Sequence, residues 1–217
     1  MDSKTDKPSK PMRRRGRPVD NDQQSLKGDI LAIAERMFAE QGYAAVSIRQ
    51  IAEAAGVNPA LVHYYFGSKH ALLQAVAVHA LKPFMDALAT LRESPAAPVQ
   101  EVVRLLFEMA AEHPNIPRLL TREVLLPGGE MYDYFIENMA PHLGGALPVM
   151  LAREQAAGRL REDFDPAIAA LLLIALSVFP FIARTLAEPG LGISYGAGGI
   201  DKLIRHITEL IESGMTK

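Results

Sequence analysis

The chain has 217 residues, 49% of them apolar and 22% charged, with a formal net charge of −2, enough material for one large or two small domains around a substantial core. It contains no cysteine, which excludes disulfides and thiolate metal sites and permits a reducing compartment. The near-neutral total hides an asymmetry: residues 1–24 hold seven basic and four acidic residues, leaving 16 basic and 21 acidic residues for the remainder. A basic arm on an acidic body points to polyanion contact at one end.

Residues 1–24 combine Pro, Ser, Lys and Asp with almost no apolar residue, so they cannot bury enough surface to order themselves. The same polarity rules out the apolar region of a signal peptide, and the expected location is cytoplasmic, at the bacterial nucleoid. Within this arm, Arg13-Arg14-Arg15-Gly16-Arg17-Pro18 has an Arg-Gly-Arg-Pro core that resembles an AT-hook, in which Arg15 and Arg17 would enter the narrow minor groove of A·T-rich DNA. It reads equally as a solvated tail that binds any phosphate backbone.

Residues 25–41 predict a first helix, with Ile30, Ile33, Ala34, Met37 and Phe38 on one buried face and Gly42 as the stop. Ser47 is placed to cap a second helix starting at Ile48, with Gln50 positioned to bond back to the cap. Gly56 ends that helix; Asn58 then caps a third, with Pro59 at its first position, where a missing N–H goes unnoticed. Gly67 and Ser68 repeat the stop and cap. Two short helices so closely joined are the signature of a helix-turn-helix. On the third helix Val62, Tyr65 and Phe66 face inward, while Pro59, Ala60, His63 and Tyr64 form an outward stripe that suits a DNA groove better than water.

These residues, from the first helix through the Gly-Val turn to Tyr-Tyr-Phe and Gly-Ser-Lys, resemble the DNA-binding domain of the TetR/AcrR family of transcriptional regulators over roughly residues 26–75. The resemblance implies that Pro59, Ala60 and His63 face base edges, and that Arg49 reads a base from the second helix. It also implies that Ser47, Tyr64 and Lys69 contact the DNA backbone. Pro59 and Ala60 could offer only apolar contact, as to a thymine methyl, whereas His63 could donate to a guanine N7 or O6, or to a phosphate. The family often has tyrosine where this chain has His63, and threonine or serine where it has Leu61. Lys69 would add its charge to exposed amides at a helix start.

Further along, a fourth helix is expected from Lys69 to about Arg92, kinked at Pro83. Residues 98–112 predict an amphipathic helix, followed by a short one through Leu119, Leu120, Val124 and Leu125, the Pro127-Gly128-Gly129 loop, and a long helical stretch over 130–157 bent around Pro141 to Pro148. Residues 167–183 are the most apolar segment, better explained by burial on both sides than by a membrane span. After the Gly190–Gly199 loop, the last helix carries Ile200, Leu203, Ile204, Ile207, Leu210 and Ile211 as a continuous seam. That seam, with Leu172, Leu176 and Phe179, is the expected four-helix homodimer interface.

The expected fold is therefore all-α, with about nine helices: a helix-turn-helix domain over 25–70 and a larger helical body over 71–217. The resemblance implies that the body binds a small-molecule effector and that the operator is double-stranded DNA. Met85, Phe107, Phe135, Met139 and Phe179 could line an adaptable apolar cavity, with His113, Arg122 and Tyr132 as polar candidates. The expected function is a repressor released from DNA by an apolar or amphipathic ligand; the alternative is a DNA-binding scaffold that recruits a protein partner. No phosphate loop, nucleophile elbow or metal-spaced histidine pair is present, so neither catalysis nor a cofactor or metal is expected.

Overall fold

The computed structural model describes residues 20–94, 98–143 and 145–215, which form twelve α-helices and one π-helical turn, with no β-strand among the described residues. Residues 1–19 of the expected arm, with Arg15 and Arg17, lie outside them, whereas residues 20–24, expected in the arm, are helical. Helix α1 (Asp20–Gln41) begins five residues before the expected boundary and stops at Gly42, whose φ of 86° is a left-handed conformation that suits glycine.

Helix α2 (Ile48–Ala54) carries the expected capping box: the Gln50 amide donates to Ser47 Oγ at 3.3 Å, and the Ser47 amide donates to Gln50 Oε1 at 2.8 Å. Helix α3 (Pro59–Phe66) starts at Asn58, whose Oδ1 accepts from the Ala60 amide at 2.9 Å. Ile30, Ala34, Phe38, Ile51, Ala52, Val62 and Phe66 bury themselves between α1, α2 and α3, and this small core fixes the exposed face of α3.

Helix α4 (Lys69–Glu93), capped by Ser68, continues as one element through Pro83, which is exposed, where water can replace the missing donor. It is long and apolar enough to cross a membrane, yet it packs between α1 and α5 and buries Leu72, Leu73, Val76, Leu81, Phe84 and Leu88 in the core. Helices α5 (Val99–Glu112) and α6 (Ile116–Leu120) follow, and α6 runs directly into the π-helical turn Thr121–Leu125. The i to i+5 bond of that turn is the Leu126 amide donating to the Thr121 carbonyl at 3.0 Å.

The stretch over 130–157 resolves into α7 (Tyr132–Asn138), α8 (Ala140–Leu143) and α9 (Ala146–Ala156). Helix α10 (Pro166–Ile182), capped by Asp165, packs on α5, α6 and α9, and α11 (Arg184–Leu191) turns away from it by 70°. Helix α12 (Ala197–Met215) docks along α5. The excess over nine helices comes from this three-way split and from α11, which Pro189 and Gly190 disguised as loop. Pro189 lies inside the helix, where it supplies no N–H to the Thr185 carbonyl, and the helix ends soon after in left-handed Gly192.

Candidate nucleic-acid interface and ligand cavity

On α3, Pro59, Ala60, His63 and Tyr64 are all exposed, Tyr64 to 80%. A tyrosine so bare on a folded surface is what a helix held ready for a groove would present. The His63 Nδ1–H donates to the Gly67 carbonyl at 2.9 Å, since a carbonyl can only accept. The neutral ring therefore offers Nε2 outward as an acceptor. Donation to guanine, the contact expected from sequence, would require the protonated ring; the neutral ring matches the amino groups of adenine or cytosine. Ser47 and Arg49 are exposed at the start of α2.

Lys69 is half-buried, and its Nζ donates to the Tyr43 carbonyl at 2.7 Å while sitting 4.0 Å from the Tyr43 ring centroid. Rather than reaching freely toward phosphate, it ties the start of α4 to the turn after α1. From the other side the π turn holds this same turn. Glu123, only 5% exposed, accepts from the Tyr43 amide at 3.2 Å and from the Glu130 amide at 3.4 Å. The Arg122 guanidinium lies against Gly42, where any Cβ would come within 2.3 Å of it. Gly129 permits a second close approach, because a Cβ there would meet the Glu123 carbonyl at 2.3 Å. Burial pushes the Tyr43 hydroxyl pKa up, and the Glu130 and Glu123 carboxylates add to the effect.

A second bridge joins α1 to the body: His113 at the end of α5 pairs with buried Glu35 of α1 at 2.9 Å and stacks edge-on against His79 of α4, with centroids 6.0 Å apart. The Glu35 carboxylate holds the His113 imidazole pKa above its ordinary value, against the opposing effect of burial. His113 is thus a joint residue rather than a cavity residue.

The body contains a largely apolar pocket of about 350 Å³, open to solvent beside Leu125 and Leu171. Its wall is built by residues of α4, α5, α6, the π turn, α7, α8, α9 and α10, among them Phe84, Met109, Leu120, Thr121, Val124, Leu125, Phe135, Leu147, Leu171 and Val178. Of the residues expected to line such a space, Phe135 does. Phe107 is core, packed on Phe181 at 5.4 Å; Met139 is fully buried, and Met85 is half-buried against the core. Arg122 points to Gly42, and Tyr132 and Phe179 are exposed at 56% and 63%. Periodicity identifies which residues are apolar but not which of them face empty space, and the wall is mostly leucine, isoleucine and valine.

Helix α10 has a third face. Ile168, Leu171, Leu172, Leu176 and Phe179, spaced for one stripe, are all exposed. The α12 seam is placed differently. Ile207 and Ile211 are buried in their own chain, Ile200, Leu203 and Ile204 are partly buried against the core, and Leu210 alone of that seam is largely exposed. A hydrogen bond from Gln100 of α5 to Glu212 helps to dock α12.

Comparison with known proteins agrees with this architecture. Residues 30–76 match the family described as bacterial regulatory proteins, tetR family, and residues 95–211 match the tetracyclin repressor-like C-terminal domain. The HTH-type transcriptional repressor NicS of Pseudomonas putida is 30% identical over 159 residues, covering 70% of this chain and 74% of NicS. RutR, an HTH-type transcriptional regulator of Escherichia coli K12, is 37% identical over 101 residues, 46% of this chain and 48% of RutR. Among solved structures, the SmeT–triclosan complex, SmeT being the repressor of a Stenotrophomonas maltophilia multidrug efflux pump, superposes with a TM-score of 0.68 at 21% identity, covering 89% of this chain and 93% of that one. The exposed α3 surface, the all-helical body and two matches that together run from the first helix to the last establish that the chain belongs to the TetR family of DNA-binding transcriptional regulators.

Proposed function

We propose that the chain is a homodimeric repressor that a small apolar ligand releases from its operator. The π turn carries this reading: Thr121, Val124 and Leu125 form part of the cavity wall, while Arg122 and Glu123 of the same five residues grip Gly42 and Tyr43 at the foot of the DNA-binding helices. A ligand pressing on one side of so short a turn moves the other. The exposed stripe of α10 supplies a self-complementary surface for a two-fold dimer. Pairing would set the separation of the two α3 helices, which must match successive major grooves about 34 Å apart. A ligand that fits only the body conformation with a displaced π turn shifts the population toward the form that does not span that distance. The SmeT–triclosan complex is a neighbour on the same fold with triclosan bound. A lined cavity also favours sensing over a scaffold that only recruits a protein.

Duplexes selected from a random pool by the purified protein test this. Two half-sites about one helical turn apart, bound by two chains, are expected. Recovery of single half-sites bound by one chain would overturn the dimeric reading. With 1-decanol as an apolar probe, Glu123→Gln should still bind the alcohol yet lose most of the weakening of DNA affinity that it causes in the unmodified protein. Equal weakening in both would remove the π turn from the mechanism.

A further inference from the structure

Resting on the reading of the cavity as the effector site, we propose that it selects an uncharged, largely hydrocarbon molecule of about a dozen non-hydrogen atoms, carrying at most a hydrogen-bond donor, and rejects carboxylates and ammonium ions of equal length. The size follows from the volume: about 350 Å³ holds roughly a dozen groups at the ~30 Å³ that a water-sized group occupies in a liquid. The charge selectivity follows from the wall, which contains no ionisable side chain; its one hydroxyl is that of Thr121.

That hydroxyl fixes the polarity of what it can greet. Thr121 Oγ1 donates its proton to the Pro117 carbonyl at 2.8 Å, so toward the cavity only its lone pairs remain. An alcohol or amide N–H can donate to them. A carboxylate, which only accepts, finds no donor, and an ammonium finds one acceptor and no countercharge. Moving the charge to the mouth does not rescue it. In the single chain the wall residues that reach solvent most freely are Leu125, at 73% exposure and followed by exposed Leu126, and Leu171, at 65%, which with Leu172 lies on the α10 stripe that a partner chain would cover with more apolar surface. The charged residues of the π turn are turned the other way, Arg122 against Gly42 and Glu123 against Tyr43.

Calorimetric titration of the full chain at neutral pH with 1-decanol, decanoate, decylammonium and undecane tests the assignment. One 1-decanol per chain is expected, with decanoate and decylammonium at least tenfold weaker. Thr121→Val should weaken 1-decanol several-fold and leave undecane unchanged. Ala140→Phe and Val178→Phe, which fill the cavity from different walls, should each abolish alcohol binding, and either suffices if the other fails to fold. Decanoate or decylammonium binding as tightly as 1-decanol would overturn the selectivity, and full alcohol binding by a folded, filled variant would overturn the site. Alcohol binding that obeys these rules without changing affinity for the selected duplex would support the selectivity and overturn the release reading alone. DNA binding by a protein that takes up no alcohol would overturn the selectivity alone.

Discussion

Truncation of Phe179 to alanine tests the dimer surface most sharply, because the side chain is 63% exposed on α10 and contributes little to the fold of its own chain. Full burial of a phenylalanine contributes about 1.5–3 kcal/mol, so covering the exposed part contributes about 1–2 kcal/mol. A two-fold interface uses every residue twice, which doubles the loss to about 2–4 kcal/mol. At about 1.4 kcal/mol per tenfold, Phe179→Ala should weaken dimerisation by roughly 30- to 1,000-fold. Sedimentation equilibrium over a concentration series reads that constant directly. If two chains hold the operator together, as proposed, DNA affinity at low protein concentration should fall with it. A change under about threefold, on the low side of any central interface residue, would refute the placement of the interface on α10. So would an unmodified protein that is monomeric at micromolar concentration.

Three further outcomes are expected. Ser47→Ala removes one half of the capping box and should cost about 1 kcal/mol, seen as a fall in Tm of about 2–4 °C, without altering base preference; no shift would mean the cap is not formed in solution. His113 has a pKa raised by Glu35, so the pair stabilises the fold below the unfolded value of 6.5 and loses that contribution as pH rises through the folded value. The stability gap between the protein and His113→Gln should therefore be larger near pH 6 than near pH 9, and denaturant unfolding at both would expose a gap that runs the other way. Because His63 presents Nε2 as an acceptor, selected operators should carry adenine or cytosine opposite it, and His63→Ala should relax that one position. A guanine preference there would contradict the Nδ1 contact to the Gly67 carbonyl.

The DNA-binding helices were legible because their signals are local. Ser47 with Gln50, Asn58 with Pro59, and the glycines at 56 and 67 each specify a backbone state that depends on no distant residue. The body was legible as helices but not as surfaces. The α12 seam is apolar at Ile207 and Ile211 whether it meets α5 of its own chain or a partner, and only the packing decides. Choosing cavity residues by type favoured Met85, Phe107 and Met139, whereas the wall is mostly branched aliphatics whose partners across the void come from seven helices and the π turn. Nor does sequence predict that His113, between Glu112 and Pro114 at the end of α5, finds Glu35 across 78 positions. Arg122 and Glu123 likewise carried no local sign of the turn they grip.

The π turn divides two kinds of evolutionary freedom within five residues. Thr121, Val124 and Leu125 can vary in size and polarity to suit a new effector, while their neighbours Arg122 and Glu123 keep the junction with the DNA-binding helices intact. Length is another matter. Removing one residue between Ile116 and Leu125 would rotate everything after it by about 100° and bring the wrong side chains to each face. Under the proposed release mechanism, substitutions here should retune which molecules act, whereas single-residue deletions should uncouple the cavity from DNA binding.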